Sequence, residues 1–421
     1  MYHKIETLNE KELKKYQLEQ INKILSAVKH TPYYAGKLPE YIDSFDTFAK
    51  IPFLTKKDLR DAFPYGLLSC PKEKLVRISA SSGMTGIPTL SYCSEYDLNE
   101  YTKNEMLHLS HTGLCKNDII QCMMGFNLFT GGWGCYHGSI GLGATVIPSG
   151  PGNTQRQIEL LKQLKARYCF STPGYLQHLL GNISDKDWEQ MNLKIAMTGG
   201  EPLTKEFQKL AKEKYDIEIY NFYGMTEFST HIASECNLHN GLHINENYFY
   251  AEIVDPETGD ILPDGEYGEL ILTNLKREAM PLIRYKTRDI TRIIPDKCIC
   301  GRTSRRIEPI SHRLDDMLII NGVNIYPSQI EECIFKCFSS VTNYLIKINT
   351  KNAIKKLNID IEIPDDIINN ENKINKLKEK LIKTLKSYIT ITPALNFVPK
   401  HTLPEIQGKT KRVVYQDLQF D

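Results

Sequence analysis

The chain lacks the features that mark membrane, secreted and nucleic-acid-binding proteins. No apolar run approaches the ~18 residues that a membrane-spanning helix needs. The N-terminal stretch MYHKIETLNEKELKKYQLEQ is charged throughout and has no apolar core of the kind found in signal peptides. The 52 Lys and Arg residues nearly balance the 51 Asp and Glu residues, so no net field attracts nucleic acid or an anionic membrane. These absences predict a cytoplasmic protein that binds neither partner.

A disulfide framework is also missing. The 11 cysteines are scattered over 421 residues without a regular spacing, and the chain is far longer than small disulfide-stapled domains. This usage favours reduced thiols, with metal binding at a subset of them. The length suffices for about two or three domains.

Hydrophobic periodicity predicts an α/β organisation in the first part of the chain. Residues 10–30 show the apolar spacing of an amphipathic helix. Beyond them, short apolar strands alternate with helical segments, which predicts a parallel sheet covered by helices. The predicted strands are 119–126, 143–149, 167–172 and 194–200, and the helices between them include 154–165 and 204–215. The glycine-rich stretch GGWGCYHGSIGLGATVIP, residues 131–148, is interpreted as buried loop and strand.

The hydrophobic pattern of the sequence changes twice in the rest of the chain. From about 246 to 310, period-2 runs are broken by DPETGD and PDGEYG, which are hairpin turn signals, so an antiparallel β section is expected. From 315 the pattern reads β-α-β-β-α-β and predicts a compact α+β unit. Its Lys- and Asn-rich segment is interpreted as a solvated helix face. We therefore expect a large α/β domain over 1–314, with mixed and parallel sheets plus the β section, and a small α+β domain over 315–421.

The segment SASSGMTGIPTL, residues 79–90, has the composition of a phosphate-binding loop. Serine and threonine hydroxyls and glycine amides form donor surfaces suited to phosphate oxygens. The Walker pattern requires a lysine after its last glycine, whereas Gly86 is followed by Ile87 and Pro88, so a classical phosphate-loop ATPase is disfavoured. In isolation the segment is equally typical of a plain connector.

Three further segments carry candidate chemistry. In YNFYGMTEF, Tyr223 beside Gly224 can stack on a purine, while Thr226 and Glu227 offer ligands for phosphate and magnesium; the alternative is a capped turn. In YKTRDI, the carboxylate of Asp289 can accept two hydrogen bonds from ribose hydroxyls; the alternative is an ordinary turn aspartate. In PEIQGKTKRV, Lys409 is a candidate catalytic residue; the alternative is a solvated lysine of the C-terminal tail.

Together these segments resemble one known family. SSGMTGIP, TGGEPL, YGMTE, PLIRYKTRDI, RLDDMLIINGVNIYPSQIE and GKTKRV, in this order and over nearly the whole chain, resemble the adenylate-forming superfamily of acyl-CoA synthetases. The likeness is greatest to its phenylacetate–CoA ligase branch. In that family the C-terminal domain is a mobile lid.

The resemblance implies a role for each matching residue. The β- and γ-phosphates of ATP would be held by a loop of Ser81, Ser82, Gly83, Thr85 and Gly86. The adenine site would be lined by Gly199, Gly200, Glu201, Tyr223 and Gly224. The ribose would be held by Asp289 and Arg313. The catalytic residues would be Thr226 at the α-phosphate, Glu227 at magnesium, and Lys409 reaching from the lid to the α-phosphate and the carboxylate. Asp315 would be the hinge.

The implied activity is a two-step ligation. A carboxylic acid attacks the α-phosphate of ATP to give an acyl-adenylate, and the thiol of coenzyme A, or of the phosphopantetheine arm of a carrier protein, then displaces AMP. Both reactants of the first step are anionic, so catalysis depends on positioning and charge neutralisation. Rotation of the lid would withdraw Lys409 for the second step. The resemblance also implies a homodimer. A non-catalytic nucleotide-binding homologue is the rival reading, and the retained Glu227, Asp289, Arg313 and Lys409 argue against it.

A second set of residues is a candidate zinc site. Cys236 and His243 in ECNLHNGLH precede Cys298 and Cys300 in CICG, and His239 is a competing imidazole. Three sulfurs and one imidazole suit tetrahedral structural zinc, but the two halves lie about 60 residues apart, so unpaired buried thiols are the alternative. Members of the family branch carry such a site.

The acyl pocket is assigned to the segment GFNLFTGGWGCYHG, where the family binds its aromatic acid. The candidate lining residues are Phe126, Phe129, Gly131, Trp133, Tyr136 and His137. An aromatic run is also typical of a core, but the glycines leave room for a ligand. The branch has a small residue in place of Trp133 and the order His-Tyr in place of Tyr136-His137. The resemblance therefore indicates an aromatic acid of the phenylacetate or benzoate type without fixing which one.

Overall fold

The computed structural model describes residues 4–81, 89–310, 312–314, 316–320, 323–338, 343–351, 354–389, 391–404 and 412–417. The helices are α1 Glu10–Val28, α2 Phe45–Phe48, α3 Lys56–Asp61, α4 Glu95–His111, α5 Gly131–Gly141, α6 Thr154–Leu164, α7 Pro173–Gly181, α8 Asp185–Trp188, α9 Lys205–Tyr215, α10 Pro327–Cys337, α11 Asp365–Ile368 and α12 Glu371–Tyr388. Short 3-10 turns lie at Lys4–Thr7, Lys72–Lys74 and Thr226–Phe228.

The described strands are numbered in chain order, here in three runs of seven. The first run is β1 Leu75–Ser81, β2 Thr89–Ser94, β3 Ile119–Cys122, β4 Thr145–Ile147, β5 Tyr168–Ser171, β6 Ile195–Gly199 and β7 Glu218–Met225. The second is β8 Thr230–Ser234, β9 Leu242–Ile244, β10 Phe249–Val254, β11 Gly268–Asn274, β12 Tyr285–Thr291, β13 Ile293–Ile294 and β14 Arg306–Ile307. The third is β15 His312–Arg313, β16 Leu318–Ile320, β17 Val323–Ile325, β18 Tyr344–Lys351, β19 Ile354–Ile363, β20 Ala394–Pro399 and β21 Val413–Asp417.

The first compact unit comprises the described parts of Met1–Gly150, Tyr168–Phe170 and Tyr220–Ile310. Its helix α1 starts at a capping box, in which Asn9 accepts from the amide of Glu12 and the Glu12 side chain accepts in return. The apolar face of α1 then buries Ile21 and Leu25, which are 0% and 1% exposed. The amphipathic helix predicted at the N-terminus is confirmed.

Parallel and antiparallel pairing both occur in this unit. Strand β3 pairs in parallel with β4 on one side and with β5 on the other. Strands β7, β8 and β9 pair antiparallel in succession, and β10, β11 and β12 do the same. The parallel sheet and the antiparallel β section expected from the sequence are therefore present.

The structure corrects the interpretation of residues 131–148. Residues 131–141 form helix α5, and only 145–147 form a strand, β4. Glycine lowers intrinsic helix propensity, which is why the sequence suggested a loop. Here the glycines allow close packing on α4: a Cβ built on Gly138 would lie 2.6 Å from the Cβ of Glu105. Packing has overridden local preference.

The second compact unit comprises the described parts of Pro151–Arg167, Ser171–Ile219 and Ser311–Asp421. Its C-terminal part has a sheet in the order β20-β19-β18-β21, in which the central pair β18–β19 is antiparallel and both outer pairs are parallel. Helices α10 and α12 bury Ile334 and Leu385 in a core with Ile346 and Ile359, each at 0% exposure. The β-α-β-β-α-β order predicted from residue 315 onward is found, with β17, the short helix α11 and β21 in addition.

The boundary between 314 and 315 stays a prediction, because Asp315 lies outside the described residues. Among helices in the described ranges, none has the length and apolar composition that crossing a bilayer requires.

Candidate functional site

Several predicted residues lie outside the described part of the chain. They are Ser82, Gly83, Thr85 and Gly86 of the phosphate loop, the hinge candidate Asp315 and the lid lysine Lys409. The loop starts from an ordered support, because Ser81 ends β1 and pairs with Thr89 at the start of β2. The two residues that flank the undescribed part of the loop are thus neighbours in the first unit.

The predicted adenine and ribose residues of the first unit are in direct contact. The Tyr223 hydroxyl donates to Asp289 Oδ2 at 2.5 Å, and the two side chains are 9% and 1% exposed. Gly224 follows Tyr223 where the strand register shifts, and a Cβ there would lie 3.0 Å from the Thr230 carbonyl oxygen. A larger residue at position 224 would push the neighbouring strand away. The structure thus brings together two motifs that are 66 positions apart.

The turn that carries Thr226 and Glu227 is fixed by an arginine that the sequence analysis missed. Arg277 Nη1 donates to the Glu227 carbonyl oxygen at 2.6 Å, and Nη2 donates to the hydroxyl of Ser91 at 2.6 Å. Burial lowers the pKa of Arg277 below its ordinary value. A lone arginine has no sequence signature, so only the fold identifies this role.

The remaining nucleotide-site candidates belong to the second unit. Gly199 ends β6, and Gly200 has φ +80°, a left-handed conformation that glycine adopts without strain. Glu201 Oε2 accepts from the amide of Gly174 at 3.2 Å, which ties this turn to the start of α7. Arg313, on β15, lies with its Nε 3.9 Å from Asp316 Oδ2.

The aromatic candidates gather along α5 and the loop before it. The rings of Phe126 and Trp133 meet edge to face at 5.5 Å between centroids, Trp133 stacks on His137 at 6.2 Å, and Tyr136 contacts His137 at 5.6 Å. Burial lowers the pKa of His137, which favours the neutral imidazole. Gly131 is the first residue of α5. Phe129 is less enclosed, with 42% exposure.

The zinc candidates converge in the first unit. One ligand atom each from Cys236, His243, Cys298 and Cys300 lies within 4.8 Å of all the others. The sulfurs of Cys236 and Cys298 are 3.8 Å apart, and the Cys300 sulfur is 3.5 Å from His243 Nε2. Ideal tetrahedral zinc, with ordinary bond lengths, separates two sulfurs by about 3.8 Å and a sulfur from a nitrogen by about 3.6 Å. The four side chains therefore fit this metal.

The second nitrogen of the histidine is also paired. His243 Nδ1 lies 3.0 Å from the Ser304 hydroxyl, a contact of the kind that orients metal-bound imidazoles. Burial lowers the pKa of His243 to about 3, which keeps the ring neutral as a ligand must be. His239 is placed elsewhere: it stacks on Tyr220 at 4.9 Å and its Nδ1 lies 3.0 Å from Glu235 Oε2.

Comparison with protein families identifies the class of protein. Residues 57–275 match the family described as "AMP-binding enzyme", and residues 322–416 match "AMP-binding enzyme C-terminal domain". The chain therefore belongs to the AMP-binding enzyme family.

The chain is also similar to individual curated proteins and to solved structures. Phenylacetate–coenzyme A ligases of Aromatoleum evansii and of Pseudomonas putida are each 35% identical to the chain; each alignment covers 97% of this chain, with 96% of the former protein and 95% of the latter. A solved 2-hydroxyisobutyryl-CoA ligase, in the postadenylation state with 2-HIB-AMP, has a TM-score of 0.89 at 24% identity, covering 98% of this chain and 91% of that one. The fold is that of adenylate-forming CoA ligases.

Proposed function

We propose that the chain is an AMP-forming acid–thiol ligase that activates an aromatic carboxylic acid with ATP and transfers the acyl group to coenzyme A. The hydrogen bond from Tyr223 to Asp289 carries the proposal, because it unites the adenine and ribose candidates in one buried place. Relatives named phenylacetate–coenzyme A ligase, aligned over 97% of the chain, support the same reaction.

The first step requires charge control at the α-phosphate. The carboxylate oxygen of the acid attacks that phosphorus, and pyrophosphate leaves. Glu227 would hold a magnesium ion, which supplies positive charge to the phosphates when bound. Thr226 precedes Glu227 in the turn whose Glu227 carbonyl oxygen accepts from Arg277, and its hydroxyl would contact the α-phosphate. Lys409 would neutralise both anions in this step and leave for the next.

The acid is proposed to be aromatic. Phe126, in the loop before the glycine-rich helix α5, and Trp133, Tyr136 and His137 on α5 form a continuous set of ring contacts, which offers apolar aromatic surface to an aryl group. Trp133 is held in place because its indole Nε1 donates to the Asn127 carbonyl oxygen at 3.2 Å.

The metal cluster is proposed to be a structural zinc site. Four protein ligands leave no open position for a substrate, which excludes direct participation in the ligation. The metal would instead join the turn between β8 and β9 to the segment around residues 298–300, so it would stabilise the fold.

Acid-dependent ATP–pyrophosphate exchange tests the proposed reaction. Benzoate, hydroxybenzoates, aminobenzoates and arylacetates are compared with fatty and amino acids, and we expect exchange with at least one aromatic acid. Preference for a long-chain fatty acid would overturn the aromatic assignment, and exchange with no acid at all would overturn the ligase assignment.

The acceptor is tested separately with radiolabelled acid. We expect thioester formation on free coenzyme A. If coenzyme A gave no product while the phosphopantetheine of an acyl or peptidyl carrier protein was loaded, the chain would be a stand-alone carrier-loading enzyme instead.

A further inference from the structure

Helix α4 presents a buried polar face that the sequence analysis did not single out. Tyr101, Asn104, Glu105 and His108 recur at the three- and four-residue spacing that places side chains on one face of a helix. Their exposures are 5%, 0%, 0% and 3%. Buried polar groups are costly unless they are paired, so such a face requires specific partners.

One group of partners lies on β8, the strand that follows the Tyr223–Glu227 segment. Glu105 Oε1 accepts from the Thr230 hydroxyl at 2.7 Å and from the His231 amide at 3.0 Å, while Oε2 lies 2.5 Å from His231 Nδ1. Asn104 Nδ2 donates to the His231 carbonyl oxygen at 2.8 Å. Burial acts to raise the pKa of Glu105, but the His231 imidazole outweighs it, so that pKa lies below its ordinary value. The start of β8 is thus fixed to an ionised carboxylate.

The other partner is the aromatic helix α5. The Tyr101 hydroxyl donates to the carbonyl oxygen of Thr130, the residue before α5, at 3.1 Å. A Cβ on Gly134 would lie 3.1 Å from the carboxyl carbon of Glu105, and one on Gly138 would lie 2.6 Å from its Cβ. Glu105 therefore touches the helix that carries Trp133 and Tyr136 as well as the strand after the Tyr223–Glu227 segment.

We propose that Glu105 is a positioning residue that sets the acyl pocket on α5 relative to the turn bearing Thr226 and Glu227. The proposal rests on the function proposed above, because it concerns the geometry of acid and nucleotide in the adenylation step. Displacing reacting groups by about 1 Å can cost about 100-fold in rate, so a buried support of this kind affects catalysis without touching the substrate.

The test compares Glu105→Gln with a matched buried glutamate. Glu252 pairs with Arg284 at 3.0 Å, with side chains 2% and 3% exposed, and Glu252→Gln removes a comparable buried charge in the same unit. Exchange kinetics are measured with the best aromatic acid, well below both unfolding midpoints. We expect Glu105→Gln to lower kcat/KM for the acid at least tenfold, through kcat as well as KM, and Glu252→Gln to lower the midpoint but keep kcat/KM within twofold.

A second, milder variant tests the same role if Glu105→Gln does not fold. Thr230→Val removes one donor to the carboxylate, and one acceptor of Asn104 Nδ2, but keeps the charge of Glu105. It should lower kcat/KM for the acid about threefold, against less than twofold in Glu252→Gln. Equal kinetics in the Glu105 or Thr230 variant and in the Glu252 variant would overturn the positioning role while leaving the ligase assignment intact. An inactive wild-type chain would instead overturn the ligase assignment itself.

Discussion

At the candidate zinc cluster, Cys236, His243, Cys298 and Cys300 each place one ligand atom within 4.8 Å of all the others. The cysteines and histidines were visible as candidate ligands, but their convergence was not, since Cys236 and Cys298 are 62 positions apart. The choice between the two histidines also depended on geometry, because His243 points into the cluster and His239 stacks elsewhere. Ser304 could not have been found from the sequence, since serine is too common to mark a supporting contact.

Removing one of the four proposed ligands should abolish zinc binding. We expect Cys298→Ser to reduce bound zinc from about one ion per chain to a small fraction, and to lower the unfolding midpoint, because metal binding to the native state stabilises it. Elemental analysis and a thermal melt measure both effects. Cys115→Ser is the control, since Cys115 is exposed and lies outside the cluster. Full zinc occupancy in Cys298→Ser would contradict the assigned ligand set.

At the scale of elements, strongly periodic segments were predicted well and the glycine-rich helix was not. Helices α6 and α9 lie within a residue of the ranges expected from their apolar spacing, because each buries one face. Helix α5 has no such signal. Three of its five glycines, Gly134, Gly138 and Gly141, face α4, and the closest approach at Gly138 comes from Glu105, 33 positions earlier in the sequence. Local patterns cannot report a tertiary contact of this kind.

The same contact predicts an unusual response to alanine. In an exposed helix, Gly→Ala stabilises by about 1 kcal/mol. At Gly138 the new methyl group would lie 2.6 Å from the Glu105 Cβ, so we expect Gly138→Ala to destabilise by about 1–3 kcal/mol through overpacking. Chemical denaturation measures the change. Gly181→Ala, at the exposed last residue of α7, should leave stability unchanged or slightly raised. A stabilised Gly138→Ala would show that α4 and α5 pack more loosely than described.

At the scale of the whole molecule, the order of motifs along the chain was enough to predict the family, and hydrophobic patterns predicted the α/β part and the C-terminal α+β part. It could not predict how the chain divides by contacts. Segments Pro151–Arg167 and Ser171–Ile219 cluster with Ser311–Asp421, because compact units are defined by packing and not by sequence order. The predicted site residues are distributed over both units: Tyr223, Thr226, Glu227 and Asp289 in the first, Glu201 and Arg313 in the second.

Substitution of Lys409 should affect the two half-reactions of the proposed ligase unequally. Lys409→Ala removes the charge expected at the α-phosphate, and loss of one such group typically costs about 100- to 1,000-fold. We therefore expect exchange to fall by that factor, whereas thioester formation from a chemically prepared acyl-adenylate and coenzyme A should fall less than threefold, because the proposed mechanism withdraws the lysine for that step. Lys411→Ala is the neighbouring-charge control and should retain both half-reactions. Near wild-type exchange in Lys409→Ala would assign the catalytic charge to another residue, and an equal loss of both half-reactions would contradict its withdrawal between steps.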